Sequence, residues 1–447
     1  MHEDEIYRTS SQYRLWSFTA TSLQSIRANT NAVAAERVRA AIRRAKQARQ
    51  QTATPEGGTP NAAAAGEDGK ENADGTGNGD EIECLTPEEE LELVRYYCEK
   101  TMELGDAYRP ALSTAVRATA IQYLRRFYLT NSPMTYHPKS IMPCALFLAT
   151  KTENYYMSLR SFAEHIPNST PEDIIAPEFL LTQGLRFTFD VRHPFRSLEG
   201  GIMELNAIAR GEGAPGPHHV GAQTPEGLRE RISALAPNPA NQKFTGSITS
   251  RIGIAHDTTR QILRSAAQLT DVYFLYTPSQ IWLAALLLAD RPLAEFYLDA
   301  KLGPIIPTST SSSSSSSSTL SPTARALSSL RDKLTTTLTN CADTLSTYQE
   351  TYTDATAPAT MKNLKRIGKK LYHCQNPEKQ DLIGLNRAAK REGNGNGSGS
   401  GTPMVMAVGG GGATDEAELQ RAAKKRKLER ERAEREGERI FGGELGR

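Results

Sequence analysis

The sequence predicts an all-α chain in which one helical unit is used twice, and three observations carry that prediction. Apolar residues recur at helical spacing through most of the ordered-looking sequence, and strand-type alternation is nearly absent. Residues 141–149 (Ile-Met-Pro-Cys-Ala-Leu-Phe-Leu-Ala) and 281–289 (Ile-Trp-Leu-Ala-Ala-Leu-Leu-Leu-Ala) are apolar on every face, as a helix packed on all sides must be. Both runs follow the same preface, Tyr136-x-Pro138-x-x-Ile141 and Tyr276-x-Pro278-x-x-Ile281. With an offset of 140, seven of fourteen positions are identical without a gap. Two apolar helices share Ala and Leu by chance; the Tyr-x-Pro-x-x-Ile preface points to an internal duplication.

At 447 residues the chain has room for two domains and tails, but its 38% hydrophobic content and its 34 Gly and 24 Pro leave much of it as linker. The net charge of +2 averages over uneven segments. Five cysteines (Cys84, Cys98, Cys144, Cys341, Cys374) form no C-x-x-C pair and fit thiols in core positions in a reducing compartment. The acidic start, Met-His-Glu-Asp-Glu, lacks the apolar stretch of a secretory signal. Apolar runs of about nine residues are too short to cross a bilayer.

In chain order, residues 1–50 form an amino-terminal helical segment. Its helix runs from Ser10 to Arg49, with Trp16 and Phe18 at its apolar start and six Arg/Lys after Glu36. Residues 51–83 read as disordered linker. The next helix opens on Thr86-Pro87-Glu88-Glu89, a cap, a first-turn proline and a capping box. Leu91, Val94, Cys98 and Met102 follow at helical spacing, then Val116, Ala120, Leu124 and Phe127 on a second helix. The apolar run after His137-Pro138 is the central third helix, which Lys151 leaves. Ser158 caps a short fourth helix to Ile166, and Thr170-Pro171-Glu172-Asp173 starts a fifth that Pro177 must kink or restart. The first unit thus covers residues 84–190. The second covers 191–302, with a disordered insertion at about 211–247 that holds one short helix near 226–235. It also contains a helix from His256 to Gln268 and the second apolar run. Residues 303–322, with eight consecutive serines, are a flexible insertion. Carboxy-terminal helices fill 323–375, and 376–447 is low-complexity and charged tail.

No catalytic set stands out. The glycines at 409–412 precede no Walker lysine and follow no strand. His218-His219 lacks further ligands for a metal, and His137 and His193, each before a proline, read as turn residues. No serine or cysteine sits in a nucleophile elbow. No enzyme activity, metal or cofactor is expected. Lys424-Lys425-Arg426-Lys427 reads equally as a nuclear import signal or as a solvated helix.

Four stretches resemble the cyclin H family: residues 10–18 (Ser-Ser-Gln-Tyr-Arg-Leu-Trp-Ser-Phe); Arg125-Arg126-Phe127-Tyr128-Leu129 through Tyr136-His137-Pro138-Lys139 to Lys151; Leu185-Arg186-Phe187 with His193-Pro194-Phe195-Arg196; and residues 271–281 (Asp-Val-Tyr-Phe-Leu-Tyr-Thr-Pro-Ser-Gln-Ile). They span about residues 10–375 with three insertions. The resemblance implies two tandem five-helix cyclin boxes flanked by amino- and carboxy-terminal helices. It also implies a nuclear, non-catalytic activator of a cyclin-dependent kinase, the CDK-activating kinase of TFIIH, which acts on other cyclin-dependent kinases and on the RNA polymerase II C-terminal repeats. A RING-finger assembly factor is the implied third subunit. Matched onto the family, Lys151 and Glu178 are the kinase-binding pair. Leu148, one turn before Lys151, packs either on the kinase or in the core. Without the resemblance, Lys151 would read as a solvated helix end where a positive charge suits the dipole. Two alternatives stay open: a cyclin-fold transcription factor that binds nucleic acid through its basic arms, and a cyclin for another transcriptional kinase. Direct nucleic-acid binding is not expected, because no aromatic residues interleave with the basic ones.

Overall fold

A computed structural model describes residues 3–52, 83–166, 169–213, 224–238, 246–302, 322–352 and 357–376, all within one compact unit, Met1–Ile383. Every described element is a helix. The low-complexity insertions, His218-His219, the glycines at 409–412 and Lys424-Lys425-Arg426-Lys427 lie outside the described residues.

The first repeat opens with α4 (Pro87–Ala107), started by the expected capping box: Glu89 N–H donates to Thr86 Oγ1 at 3.2 Å, and Thr86 N–H to Glu89 Oε2 at 3.0 Å. It packs with α5 (Thr114–Thr130) and α6 (Pro138–Thr152). Ile141, Cys144, Ala145, Leu146, Phe147, Leu148 and Ala149 of α6 are all buried, as an all-round apolar helix requires. Short helices close the unit: α7 (Leu159–Ala163), α8 (Pro171–Ile175) and α9 (Glu178–Gly184). Proline restarts the chain rather than kinking it, because α8 ends before Pro177 and α9 begins after it.

The second repeat contains α10 (Phe195–Arg210), α11 (Pro225–Ser233), α12 (Ile248–Arg264), α13 (Ala266–Leu269), α14 (Val272–Leu275), α15 (Pro278–Ala289) and α16 (Arg291–Leu302). The element expected over 256–268 is longer at its start and broken at Ser265, whose φ of −108° and ψ of −89° leave the helical region. Helix α15 is the structural counterpart of α6: a proline begins each, and Ile281, Ala284, Ala285, Leu286 and Leu287 are buried. The indole of Trp282 lies so close to α10 that a Cβ at Gly201 would stand 2.3 Å from its ring. Helix α17 (Pro322–Tyr352) packs along α15 through Leu338, Cys341 and Leu345, which carries the second helical unit beyond residue 302. Helix α18 (Ala357–Gln375) rests on α4.

The amino-terminal segment is three helices rather than one: α1 (Glu3–Thr9), α2 (Ser11–Trp16) and α3 (Ala20–Thr52). The break has a cause. Phe18 N–H leaves the helical ladder for Phe274 C=O at 2.8 Å, and Thr19 and Ser22 then cap each other to start α3. Trp16, 1% exposed, packs with Leu23, Leu129 and Phe274 and donates its indole N–H to Thr188 Oγ1 at 2.9 Å. The guanidiniums of Arg126 and Arg186 each approach its ring, both at 5.2 Å.

Two partly buried polar groups tie these parts together. Asp271, ahead of α14, accepts two bonds from Arg27 of α3 (2.8 and 2.7 Å) and one from Arg125 of α5 (2.6 Å). Burial pushes this carboxyl up, but the Arg27 and Arg125 guanidiniums outweigh burial and hold it below its ordinary value. His193 is the second. It is not a plain turn residue: its imidazole is enclosed between Thr119 Oγ1 (2.8 Å) and the Tyr273 hydroxyl (3.0 Å), so it bridges the repeats. Burial, helped by Arg126, lowers its pKa to about 3 and keeps it neutral.

Candidate functional site

The side chain of Lys151, in the last turn of α6, reaches Glu178, the first residue of α9, and the two form an ion pair. Both charges sit where helix dipoles favour them, a cation at a carboxy terminus and an anion at an amino terminus. Lys151 Nζ also lies 4.7 Å from the centroid of the Phe147 ring, a cation–π contact. The pair remains accessible, with side-chain exposures of 42% for Lys151 and 23% for Glu178.

Local sequence explains how Glu178 comes to be there. Ser158 Oγ accepts the Ser161 N–H to cap α7, and Thr170 and Asp173 form a capping box on α8. Leu181 and Leu185 are completely buried and anchor α9. Gly184 allows α9 to press against α5, because a Cβ there would meet the Phe127 ring at 2.5 Å. With its buried side fixed, α9 can only present its first turn to α6 and to solvent.

Leu148 is not part of this surface. It is 5% exposed and belongs to the main hydrophobic core, beneath the turn that carries Lys151. The expected trio is therefore a surface pair over a core residue. Exposed apolar side chains, none of them expected at the site from sequence, flank the pair along the chain. Tyr156 is 96% exposed, Phe179 68%, Phe187 61% and Ile175 41%. Exposed aromatic residues beside a charge pair suit a protein partner better than a small ligand. Phe179 carried a readable signal: on the α9 wheel it falls opposite Leu181 and Leu185.

The arrangement offers salt bridges and apolar contact. Among the described residues no group of three or more His, Cys, Asp or Glu is placed to hold a metal ion. Burial pushes the thiols of Cys98, Cys144 and Cys341 up to about 12, far from nucleophilic at neutral pH.

Comparison with known proteins gives a consistent picture. A family model described as the cyclin C-terminal domain matches residues 193–346. Cyclin mcs2 of Schizosaccharomyces pombe is 30% identical over 295 residues, covering 66% of this chain and 73% of mcs2. Cyclin CCL1 of Saccharomyces cerevisiae is 31% identical over 306 residues, or 67% of this chain; the match spans 62% of CCL1. Among solved structures, a chain of the CAK complex of Chaetomium thermophilum bound to ATP-γ-S superposes with a TM-score of 0.57 at 32% identity. That match covers 90% of this chain and all of the other.

Proposed function

Because the chain belongs to the cyclin family, in the branch of the cyclin H proteins, we propose that it is the non-catalytic regulatory subunit of a CDK-activating, TFIIH-associated kinase. The observation that carries this reading is the accessible Lys151–Glu178 pair, joining α6 and α9 and flanked by Tyr156, Phe179 and Ile175. A protein kinase is active only when its αC helix brings a glutamate to the ATP-binding lysine and its activation loop is ordered. A rigid helical face that binds the productive αC position better than the unproductive one shifts that equilibrium without touching the reacting atoms. The α6–α9 surface is suited to this: its backbone is fixed by Leu181, Leu185 and the Gly184–Phe127 contact, and its side chains offer one cation, one anion and exposed apolar groups.

The reading extends to a kinase catalytic subunit and a RING-finger assembly factor as partners, and to a nuclear location with Lys424-Lys425-Arg426-Lys427 as the import segment. The test is affinity purification of the tagged full chain from nuclear extract, with identification of the bound proteins and a kinase assay on an RNA polymerase II repeat peptide. Recovery of a cyclin-dependent kinase whose activity requires the chain is expected. Recovery of no kinase, with salt-sensitive DNA binding instead, would replace this reading by a nucleic-acid-binding factor.

A further inference from the structure

Helix α18 carries five Lys/Arg and no Asp or Glu. Its Ile367, Leu371 and Cys374 turn inward and share a small hydrophobic cluster with Ala34, Ala35 and Val38 of α3 and with Leu85 and Leu93. Two of its cations are engaged at the edge of that cluster: Lys370 pairs with Glu83 and Glu89, and Arg366 with Glu89. Lys362, Lys365 and Lys369 fall on the opposite side of the helical wheel, and all three are exposed. Among the described residues no carboxylate answers them. The helix is thus anchored by one face and presents a row of three positive charges on the other.

The answering charge lies in the chain itself. Residues 53–82 hold seven Asp/Glu against a single lysine, Lys70. The other stretches that join described parts of the chain (167–168, 214–223, 239–245, 303–321 and 353–356) hold at most one charged residue each, and the sequence after residue 376 has more Lys/Arg than Asp/Glu. The acidic stretch leaves α3 at Thr52 and ends at Glu83, which is itself paired with Lys370. Its last two acids, Asp80 and Glu81, are therefore delivered directly to α18. Length is no obstacle: thirty extended residues reach up to about 100 Å, whereas α18, 19 residues long, measures about 28 Å. We propose that the acidic segment 53–82 docks along the outer face of α18, its carboxylates against Lys362, Lys365 and Lys369, and so shields that face from other polyanions. Each such contact is weak and screened by salt. Attachment at both ends holds the acids at a high effective concentration, which a competing polyanion must overcome.

The test uses the purified full chain at low salt. Carbodiimide joins a carboxylate directly to an amine, so it should link segment 53–82 to Lys362, Lys365 or Lys369 within one chain. The link should vanish at about 1 M salt, where the screening length is only ~3 Å. Heparin affinity gives a second reading. Lys362→Gln, Lys365→Gln and Lys369→Gln together should barely lower the eluting salt of the wild type, because the face is covered. The same three changes should lower it clearly in a chain whose seven segment acids are replaced by Asn and Gln. The three lysines are exposed, so their replacement should leave the thermal unfolding midpoint unchanged. A segment that links to no α18 lysine of its own chain, or an equal loss of heparin affinity in both backgrounds, would overturn the proposal.

Discussion

Reversing the charge at Lys151 separates a partner-binding role from a stabilising one. The Lys151–Glu178 pair is partly exposed, so its contribution to stability is small, about 0.2–1 kcal/mol. Lys151→Glu places two carboxylates together at the α6–α9 seam, but both can turn towards water, and the loss of folding stability should stay near 1 kcal/mol. On the proposed reading, the kinase covers the same groups in the complex. Removing one member of a buried charged contact then costs about 2–5 kcal/mol, or roughly 30-fold to several-thousand-fold in affinity. Denaturant titration of the free chain and calorimetric binding to the purified kinase subunit measure the two quantities on the same variant. The double variant Lys151→Glu/Glu178→Lys sharpens the contrast. It restores the internal pair, and so the stability, while presenting inverted charges to the partner, so kinase binding and stimulation should remain low. Full stimulation by Lys151→Glu, or recovery of stimulation in the swapped pair, would refute the assignment of these residues to the kinase contact.

Phe179→Ala and Tyr156→Ala remove side chains that are mostly in solvent, so stability should change by no more than about 0.5 kcal/mol while kinase affinity falls at least tenfold; thermal shift and binding assays check both. Asp271→Ala strips the carboxylate from two enclosed guanidiniums and should destabilise the chain by about 3 kcal/mol, with Asp271→Asn milder, as measured by urea unfolding. Burial lifts the Glu90 carboxyl to about 7 against its bonds to Ser132 and Asn31. Between pH 4.5 and pH 7 the folded chain therefore holds a proton that the unfolded chain has released, and wild-type stability falls as pH rises through that window. Glu90→Gln should escape the loss and gain up to ~3 kcal/mol on wild type between pH 5 and pH 8, read as the difference in unfolding free energy.

The repeated Tyr-x-Pro-x-x-Ile preface was legible because it acts locally. His137 and Thr277 cap, Pro138 and Pro278 start the helix, and an all-apolar run has no solvent face to place. The capping boxes at Thr86 and Thr170 were legible for the same reason. Lys151 and Glu178 came from resemblance; no local rule brings residues 27 positions apart into contact. The break after Trp16 and the role of His193 were hidden because their partners, Phe274 and Tyr273, are far along the chain. Leu148 stood open between surface and core because in an all-apolar helix the hydrophobic pattern does not say which side meets a neighbour.

The seat of the amino-terminal helices also sets a timetable for synthesis. Trp16, Phe18 and Arg27 dock against Phe274 and Asp271, and Arg27 is 244 residues away from its carboxylate. At about 5–20 residues per second, on the order of 12–50 s separates the emergence of Arg27 from that of its acceptor. Throughout that interval the first repeat has its own core, but the Phe18 N–H lacks its Phe274 acceptor, Arg27 lacks the Asp271 carboxylate, and Trp16 lacks the Phe274 ring. A ribosome-bound chain stopped before residue 271 should therefore be the species that chaperones hold, and release should follow the appearance of Asp271 rather than completion of the first repeat.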